Sequence, residues 1–270
     1  MIPASDLAFV SALCLAQAGL KVDVERSYLI ESRLGPVARR EGFEGPEPFI
    51  QTLREQGDER LAWALVEAMV LPEPEFFRDR AVFQALVDDV LPRLTRARGG
   101  EPVRIWSAAC GTGQEIYSLA MMLADAPQLP GPVELFGSDL SERALEKAQA
   151  GIYSQFEVQR GLPARTLVRH FEKIGEAFAL SPRIRQQVRW RRVNLMDDLG
   201  RNGRFDLVLC RGALGQLAPE AHGRVLGSLA GAMAPGGRLI LGLKDNPGEA
   251  FTRLGPGIFS NRDEAVRSAA

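Results

Sequence analysis

The stretch that decides the fold is WSAACGTGQEIYSLAMML, from Trp106 to Leu123. Two glycines, Gly111 and Gly113, lie between an apolar run typical of a buried strand and a segment whose apolar residues have helical spacing. Strand, glycine turn and helix in this order predict a βα unit whose turn allows a ligand to approach the backbone closely. The question is which nucleotide-like ligand this turn accepts.

Short apolar runs alternate with helical segments from residue 103 onward. Helices are expected over 114–126, 142–150 and 219–233, between the runs VRIWSA, VELFGSD, FDLVLCR and GRLILGL. This alternation predicts βαβ units and an α/β fold with a mainly parallel sheet flanked by helices. The sequence APGG at 234–237 predicts a turn before a late strand.

The first 70 residues have no strand signals, and their apolar residues recur at helical spacing. The proline-rich LPEPE at 71–75 indicates a boundary, and helical periodicity resumes in FFRDRAVFQALVDDVLPRL from Phe76. We therefore expect a helical N-terminal domain at 1–72, a linker and bridging helix at 73–98, and an α/β domain at 99–270.

Composition excludes several classes of protein. Hydrophobic residues make up 46% of the chain, and 33 Lys and Arg balance 34 Asp and Glu, so net charge gives no reason to expect nucleic-acid or membrane binding. The three cysteines lack the spacing of a disulfide framework or zinc site, and no metal is expected. The unpaired cysteines favour a reducing cytoplasm. No basic segment precedes the first apolar run, unlike in a secretory signal, and no run is long enough to span a membrane.

The glycine turn lacks the features of two common phosphate-binding motifs. A dinucleotide fingerprint would require a third glycine where Ile116 stands, and the Gly-Lys-Ser/Thr ending of a phosphate loop is missing. Asp139 ends the next predicted strand, 26 residues after Gly113, where a carboxylate can accept hydrogen bonds from both ribose hydroxyls. This pair of features favours a nucleoside ligand such as S-adenosylmethionine. The alternative is that the glycines only form a tight turn and Asp139 caps the helix beginning near Ser141.

Motifs along nearly the whole chain resemble those of the chemotaxis receptor methyltransferases of CheR type. The resemblance implies a class I methyltransferase-like, Rossmann-like fold and transfer of a methyl group from S-adenosylmethionine to receptor glutamates, leaving S-adenosylhomocysteine. The motifs that carry it are YLIESRLGPVARREGF, EFFRDRAVFQAL, WSAACGTGQEIYSLAM, SDLSERALEKAQAGIYS, LVRHF, VNLMDD, FDLVLCR and LAPGGRLILG.

The resemblance also implies roles for individual residues. The family's acid near the methionine amino group corresponds to Glu115, its ribose-binding acid to Asp139, and its arginine near the methyl donor and acceptor to Arg78. Its Asn-Leu pair beside the adenine corresponds to Asn194 and Leu195. The cofactor-binding set implied in this way comprises Ala109, Gly111, Gly113, Glu115, Asp139, Asn194, Leu195, Arg211 and Gly212.

Three features depart from the family pattern. Where the family usually has Asn-x-Thr before FFR, this chain has Pro72 and Pro74. The family's asparagine after the last LC-Arg corresponds to Gly212, and its tyrosine near the acceptor corresponds to Gln216. We therefore expect cofactor binding to be better preserved than catalysis, with transfer reduced, redirected or lost.

Methyl transfer to a carboxylate needs no general base, because a glutamate with a pKa of about 4.3 is already ionised near neutrality. The enzyme contributes positioning and exclusion of water, and Arg78 is the candidate to hold the acceptor carboxylate in a forked pair. The alternative for Arg78 is a surface ion pair. His170 and His222 are expected to be structural or solvated, and Cys110 and Cys210 to be packing residues.

The run RIRQQVRWRR at 183–192 holds five arginines. It could lie at the end of a small antiparallel insertion with which some family members bind a receptor tail peptide by strand addition. The alternative is an alternating strand with arginines exposed and Val188, Trp190 and Val193 inward. RNA binding is disfavoured, because the basic segment is short and Trp190 is its only aromatic residue.

The leading hypothesis is a protein-glutamate O-methyltransferase acting on a chemoreceptor-type partner. Two alternatives stay open. One is a non-catalytic signalling module that kept the adenosyl pocket and lost turnover. The other is a methyltransferase acting on RNA or a small molecule. The sequence does not indicate the oligomeric state.

Overall fold

The computed structural model describes residues 2–71, 74–126, 129 and 131–262, with backbone only at 201–202. The chain divides into two compact units. The first unit comprises Met1–Leu71 and Gly215–Val225, and the second comprises Pro72–Leu214 and Leu226–Ala270. The sequence did not indicate that a segment beyond residue 200 belongs with the N-terminal helices.

The first unit is helical, as expected. Its core contains the fully buried side chains of Leu34, Phe49, Ile50 and Leu65. Asp58 caps the fourth helix by accepting hydrogen bonds from the backbone N–H groups of the next turn. The helices are α1 (Ala4–Ala18), α2 (Ser27–Arg40), α3 (Pro46–Gln56) and α4 (Glu59–Met69), with a 3-10 turn at Val24–Arg26.

The segment Gly215–Val225 is tied to the loop after α1 by backbone hydrogen bonds. Leu20 and Leu217 form an antiparallel bridge. The N–H of Lys21 donates to the carbonyl of Gln216 at 2.9 Å, and that of Ala218 donates to Gly19 at 2.8 Å. These bonds explain why this segment belongs to the helical unit.

The second unit contains a seven-stranded sheet, which confirms the predicted α/β fold with a mainly parallel sheet. The strand order is β6-β2-β1-β7-β8-β10-β9, and only the last two strands run antiparallel to their neighbours. The strands are β1 (Val103–Ala108), β2 (Val133–Asp139), β6 (Val188–Arg192), β7 (Phe205–Cys210), β8 (Met233–Leu241), β9 (Phe251–Gly255) and β10 (Ile258–Asn261).

The central strands are apolar because they are buried. All six residues of β7 are buried, as are five of the six in β1. Trp106 on β1 packs against Phe205 with ring centroids 5.0 Å apart, and its indole N–H donates to the Ser138 hydroxyl at 2.8 Å. Continuous apolar strands of this kind are typical of parallel sheets.

Several connections between strands contain helices, and others contain only short turns. Between β6 and β7 the chain forms a 3-10 turn at Leu199–Asn202. The helices of this part of the chain are α5 (Arg80–Ala85), α6 (Leu91–Ala97), α7 (Gln114–Asp125), α8 (Glu142–Ala150), α9 (Gln155–Gln159), α10 (Ala164–His170), α11 (Pro182–Arg185) and α12 (Pro219–Ala232). The two-unit division falls inside α12.

Two local expectations were wrong, and one element was not anticipated. Helical periodicity was expected from Phe76, but residues 76–79 form a turn, and Leu86–Val90 is a π-helical turn between α5 and α6. The APGG residues lie inside β8 as a bulge, where the pairing with β7 shifts register and Gly236 has φ of +75°. The hairpin of β9 and β10 carried no recognised sequence signal.

A small antiparallel sheet is inserted between β2 and β6. It has the order β3-β5-β4, with β3 (Ile152–Ser154), β4 (Phe171–Ile174) and β5 (Ala177–Leu180). The arginine run is not part of this sheet, because it forms α11 and β6, the edge strand of the main sheet. The alternating-strand interpretation holds for buried Val188 and half-buried Trp190, which alternate with exposed Arg189 and Arg191, whereas Val193 is half-buried and lies just after the strand.

Candidate active site

The site-residue predictions converge on one edge of the main sheet. The carboxyl ends of β1, β2, β6 and β7 meet there because these strands are parallel. Cys110 N–H donates to the Ser138 carbonyl at 2.8 Å, and Val193 N–H donates to the Asp139 carbonyl at 3.0 Å. These two bonds continue the strand pairing into the loops that carry the candidate residues.

The turn after β1 has three residues in the left-handed region. Ala109, Gly111 and Gly113 have φ of +54°, +55° and +90°. Ala109 is the exception among them, since a left-handed conformation costs a residue with a Cβ roughly 1–2 kcal/mol. The turn thereby presents backbone rather than side chains at the start of α7.

Gly113 is also required by packing. A Cβ there would lie 3.0 Å from Ala148 Cβ, 3.0 Å from Trp190 Cη2 and 3.1 Å from Tyr117 Cε2. The Tyr153 hydroxyl donates to the Thr112 carbonyl at 2.7 Å. Ala148, Gly151 and Tyr153 form an A-x-x-G-x-Y motif within the stretch SDLSERALEKAQAGIYS, so this motif supports the glycine turn from the side.

Asp139 is 5% exposed and both its carboxylate oxygens already accept hydrogen bonds. Oδ2 accepts from the N–H of Gly111 at 2.8 Å, and Oδ1 accepts from the N–H of Ser141 at 2.9 Å. The cap of α8 is Ser141, whose hydroxyl accepts from Ala144 N–H at 3.3 Å. Each carboxylate oxygen has a second lone pair, so Asp139 fixes the glycine turn and retains capacity for further donors.

Asn194 and Leu195 follow β6 directly. Asn194 Oδ1 accepts from the N–H of Met196 at 3.1 Å, which orders the turn, and Leu195 is buried. Because Val193 is bonded to Asp139, the Asn-Leu pair lies beside the end of β2.

Arg211 directly follows β7, and its side chain, which is 3% exposed, joins separate parts of the site. Nη1 donates to Glu115 Oε2 at 3.1 Å and to the Arg78 carbonyl at 3.0 Å. Nη2 donates to Asp79 Oδ2. Its buried Nε has no hydrogen-bond partner among the described residues. Arg211 therefore links the first turn of α7 to the FFR turn, residues 76–79.

Arg78 is exposed, whereas both residues beside it are largely covered. A Cβ built on Gly212 would lie 3.8 Å from Arg78 Nη1, so the side chain at position 212 faces this guanidinium. Gly212 has φ of +82°, a conformation that asparagine tolerates better than most residues. Glycine keeps this backbone geometry and removes the amide from the space beside Arg78.

Burial dominates the electrostatics of both carboxylates. It raises the pKa of Glu115 above the ordinary value, against the opposing effect of Arg211, Ser107 and Arg78. Burial also raises the pKa of Asp139, against the effect of backbone hydrogen bonds from Ser141 and Gly111. Both acids therefore hold protons more tightly than exposed carboxylates do.

Gln216 and the two prolines before FFR also depart from the family pattern. Gln216 belongs to the helical unit, where its Oε1 accepts from the N–H of Leu71 at 2.6 Å. Its side chain is thereby committed to a structural hydrogen bond. Pro74 is half-buried, and Pro72 lies outside the described residues.

The cysteines and histidines near these elements have structural surroundings. Cys110 and Cys210 are buried, and burial raises the pKa of both thiols. His170 ends α10 and contacts Asp125 through Nε2 at 3.1 Å, and His222 contacts the Leu217 carbonyl. Within the described ranges no three His, Cys, Asp or Glu side chains group as metal ligands, and no helix has the length and apolarity needed to cross a membrane.

The sequence did not point to Asp79, Ser107 or Ser118. Ser107 Oγ lies 3.5 Å from Glu115 Oε1, and Ser118 Oγ accepts from the N–H of Phe77 at 2.9 Å. The sequence does contain two signals that could have indicated them. Asp79 directly follows FFR, and Ser118 lies one helical turn after Gln114.

Comparisons with known proteins show the family to which the chain is similar. The family model described as "CheR methyltransferase, SAM binding domain" matches residues 73–251. Chemotaxis protein methyltransferase 1 of Pseudomonas aeruginosa is 36% identical over 233 residues, which cover 84% of this chain and 85% of that protein. The chemotaxis protein methyltransferase of Vibrio parahaemolyticus is 32% identical, covering 86% and 85% of the two chains.

A further relative carries a different name. The probable biofilm formation methyltransferase WspC of Pseudomonas putida is 33% identical over 239 residues, which cover 88% of this chain and 55% of that protein.

The family match covers more than half of the chain, and the cofactor of a CheR methyltransferase domain is S-adenosylmethionine. The chain therefore belongs to the CheR family of S-adenosylmethionine-dependent methyltransferases.

Proposed function

We propose that this methyltransferase transfers the methyl group to glutamate side chains of a chemoreceptor-type protein in the cytoplasm. The names of the chemotaxis relatives support a receptor substrate. The observation that carries the proposal is the link through Arg211 between Glu115 and the turn of Arg78. This link joins a candidate cofactor contact to an exposed cation suited to an acceptor carboxylate.

The groups of the candidate site fit S-adenosylmethionine. Glu115 supplies a carboxylate for the methionine amino group, and the unused lone pairs of Asp139 suit ribose hydroxyls. Asn194 and Leu195 would flank the adenine. Ala109, Gly111 and Gly113 would permit close backbone approach, and Arg211 and Gly212 would line the methionine end.

The acceptor chemistry needs little from the protein beyond positioning. When bound, S-adenosylmethionine supplies a methyl group on a sulfonium, which an ionised carboxylate accepts while S-adenosylhomocysteine leaves. A glutamate is ionised at neutral pH, so no general base is required. Arg78 would bind the carboxylate through a planar guanidinium and fix the attacking oxygen.

A second candidate function is a signalling module that binds the adenosyl ligand without turnover. Gly212 and Gln216 favour it, because neither supplies the side chain usual in the family. Gln216 is engaged with Leu71 instead.

The deciding experiment combines a transfer assay with binding calorimetry. Methyl-labelled donor is incubated with the cytoplasmic domains of chemoreceptors from the same organism, with a biofilm-signalling receptor, and with RNA. The proposal expects base-labile label on receptor protein only. Arg78→Ala should lower transfer by roughly 10² or more, whereas Arg80→Ala, an exposed arginine two residues away, should leave it unchanged.

Each other result selects a different function. Binding of S-adenosylhomocysteine without transfer to any receptor would favour the signalling module. Label on RNA alone would favour the RNA methyltransferase. Equal losses in both arginine variants would contradict the assigned role of Arg78.

A further inference from the structure

The FFR turn has an unusual backbone. Phe77 and Asp79 both have φ of +53°, so two residues with a Cβ occupy the left-handed region on either side of Arg78. Such residues cost of order 1–3 kcal/mol each and persist only where surrounding contacts determine them. The contacts that hold this turn should therefore be identifiable.

Ser118 holds the beginning of the turn. Its hydroxyl donates to the Gln114 carbonyl at 2.6 Å and accepts from the N–H of Phe77 at 2.9 Å. Ser118 is fully buried, so no water replaces either bond. The hydroxyl therefore attaches the turn to the first part of α7.

Arg211 and Asp79 hold the end of the turn. Arg211 Nη1 bonds to the Arg78 carbonyl at 3.0 Å, and Nη2 bonds to the Asp79 carboxylate. Asp79 lies directly before α5, yet its side chain makes no capping hydrogen bond there. Its carboxylate is committed to Arg211.

The charges explain why two acids meet one arginine. A buried guanidinium is costly unless paired, and Arg211 is paired with both Asp79 and Glu115. Loss of Asp79 leaves Arg211 paired with Glu115 and frees only the FFR turn. Loss of Glu115 would remove the candidate cofactor contact itself. The two carboxylates therefore have separable effects.

We propose that Asp79 and Ser118 are positioning residues that hold the FFR turn in its left-handed geometry and so direct Arg78 toward the acceptor carboxylate. This role rests on the proposed function for its effect on transfer, but its structural part is independent of the substrate. Neither side chain needs to touch the cofactor or the acceptor.

Hydrogen exchange followed by mass spectrometry tests the structural part without any substrate. Asp79→Asn and Ser118→Ala should each raise exchange of amides in 76–83 by about tenfold, since each variant loses one buried anchor. Ser118→Thr, which keeps the hydroxyl, should restore protection. Unchanged exchange at 76–83 in both variants would overturn the proposal.

Asp206→Asn is the matched control. Asp206 is also a buried carboxylate paired with an arginine, bonding Arg98 Nε at 2.7 Å and Arg104 N–H at 2.9 Å, but it lies at the opposite end of β7. This variant should raise exchange near 98–106 and leave 76–83 unchanged. Equal deprotection of 76–83 in all three variants would show a general loss of stability and would overturn the proposal.

Kinetics and calorimetry test the functional part. Asp79→Asn and Ser118→Ala should lower kcat about tenfold or more, with the Kd of S-adenosylhomocysteine within about threefold of the parent protein. A loss of cofactor affinity as large as the loss of kcat would contradict a positioning role. Failure of the parent protein to methylate any receptor would contradict the proposed function. The exchange data would still decide whether Asp79 and Ser118 hold the FFR turn.

Discussion

Gly113 illustrates how one missing methyl group shapes the site. It has φ of +90°, and a Cβ would press against Ala148, Trp190 and Tyr117 at 3.0–3.1 Å. Gly113→Ala should therefore destabilise the protein by about 1–3 kcal/mol through strain and overpacking, and should weaken cofactor binding. Urea unfolding and calorimetry measure both effects.

Gly42→Ala is the control for that prediction. Gly42 has the same φ of +90°, with nothing within 4 Å of its built Cβ. It therefore separates the backbone cost from the packing cost. Equal destabilisation by the two variants would contradict the packing argument.

Glu115 predicts a pH dependence of cofactor binding. Its folded-state pKa is raised by burial above the ordinary 4.5, and the ionised form is needed to bind an ammonium group. Affinity should therefore fall as pH falls through this raised pKa, at a pH where an exposed glutamate stays charged. The effect of Glu115 on folding stability has the opposite pH dependence. Because its pKa is higher in the folded state, its stabilising contribution is fully present below the pKa of the unfolded chain and is lost as the pH rises through the folded-state pKa.

Calorimetry with S-adenosylhomocysteine from pH 5 to 8 measures this effect. Glu115→Gln should bind roughly 10- to 100-fold more weakly and lose the part of the pH dependence that arises from Glu115. Glu157→Gln, in the capping box of α9, should behave like the parent protein. A pH profile shared by Glu115→Gln and the parent would refute the assignment.

Replacing Gly212 by asparagine is expected to raise methyl transfer. Its φ of +82° is accessible to asparagine, and a side chain there would face Arg78 Nη1 from 3.8 Å. Gly212→Asn should therefore restore an amide beside the guanidinium and raise transfer several-fold, measured with labelled donor. Gly236→Asn, at a comparable φ of +75° in open space, is the control. A fall in transfer specific to Gly212→Asn would contradict the inference that the missing amide limits activity.

At the scale of elements, the FFR turn depends on a loop distant in sequence. Gly161 follows α9 with φ of +79°, and a Cβ there would clash with the Phe76 carbonyl oxygen. Gly161→Ala should therefore displace the turn and lower transfer at least about tenfold while largely preserving cofactor affinity.

Gly175→Ala provides the matched comparison. Gly175 lies between β4 and β5 with φ of +58° and nothing within 4 Å of a built Cβ. It carries a similar conformational cost without the clash. Methyl transfer is measured for Gly161→Ala and Gly175→Ala together. Equal losses in the two variants would refute the argument that the clash with Phe76 displaces the turn.

The elements themselves were predictable where hydrophobic pattern and capping agree. The bounds of β1, β2 and α8 follow from apolar runs and from Ser141. The π-helical turn and the bulge in β8 were not predictable, because both are set by contacts with other elements. The A-x-x-G-x-Y motif was visible, but its support of Thr112 through Tyr153 required the structure.

At the scale of the whole molecule, the helical unit includes a segment from far along the chain. Gly215–Val225 obtains backbone partners from Gly19 and Lys21. A chain lacking residues 1–71 should therefore unfold at a temperature lower by about 5 °C or more. Thermal circular dichroism measures this difference, and an unchanged midpoint would contradict the prediction.

The candidate site was partly predictable at this scale. Motif resemblance located the glycine turn, Glu115, Asp139 and Arg78. The parallel sheet brings the glycine turn and the two acids to one edge, and Arg211 links the turn of Arg78 to Glu115. The assigned cofactor and catalytic roles, and the domain boundaries at 72 and 98, stay predictions. Asp79 and Ser118 were missed because their partners lie 132 and 41 residues away in sequence, a relation that no local pattern encodes.

Trp190 has a practical consequence. Its indole fills the space left by Gly113 and Gly137, directly against the glycine turn. Tryptophan emission changes with local packing and polarity, so ligand entry at this turn should be readable as intrinsic fluorescence in unlabelled protein. Only three tryptophans contribute to that signal, and Trp63→Phe would remove the one in the helical unit. The packing that shapes the turn thus also supplies an optical probe for titrating it.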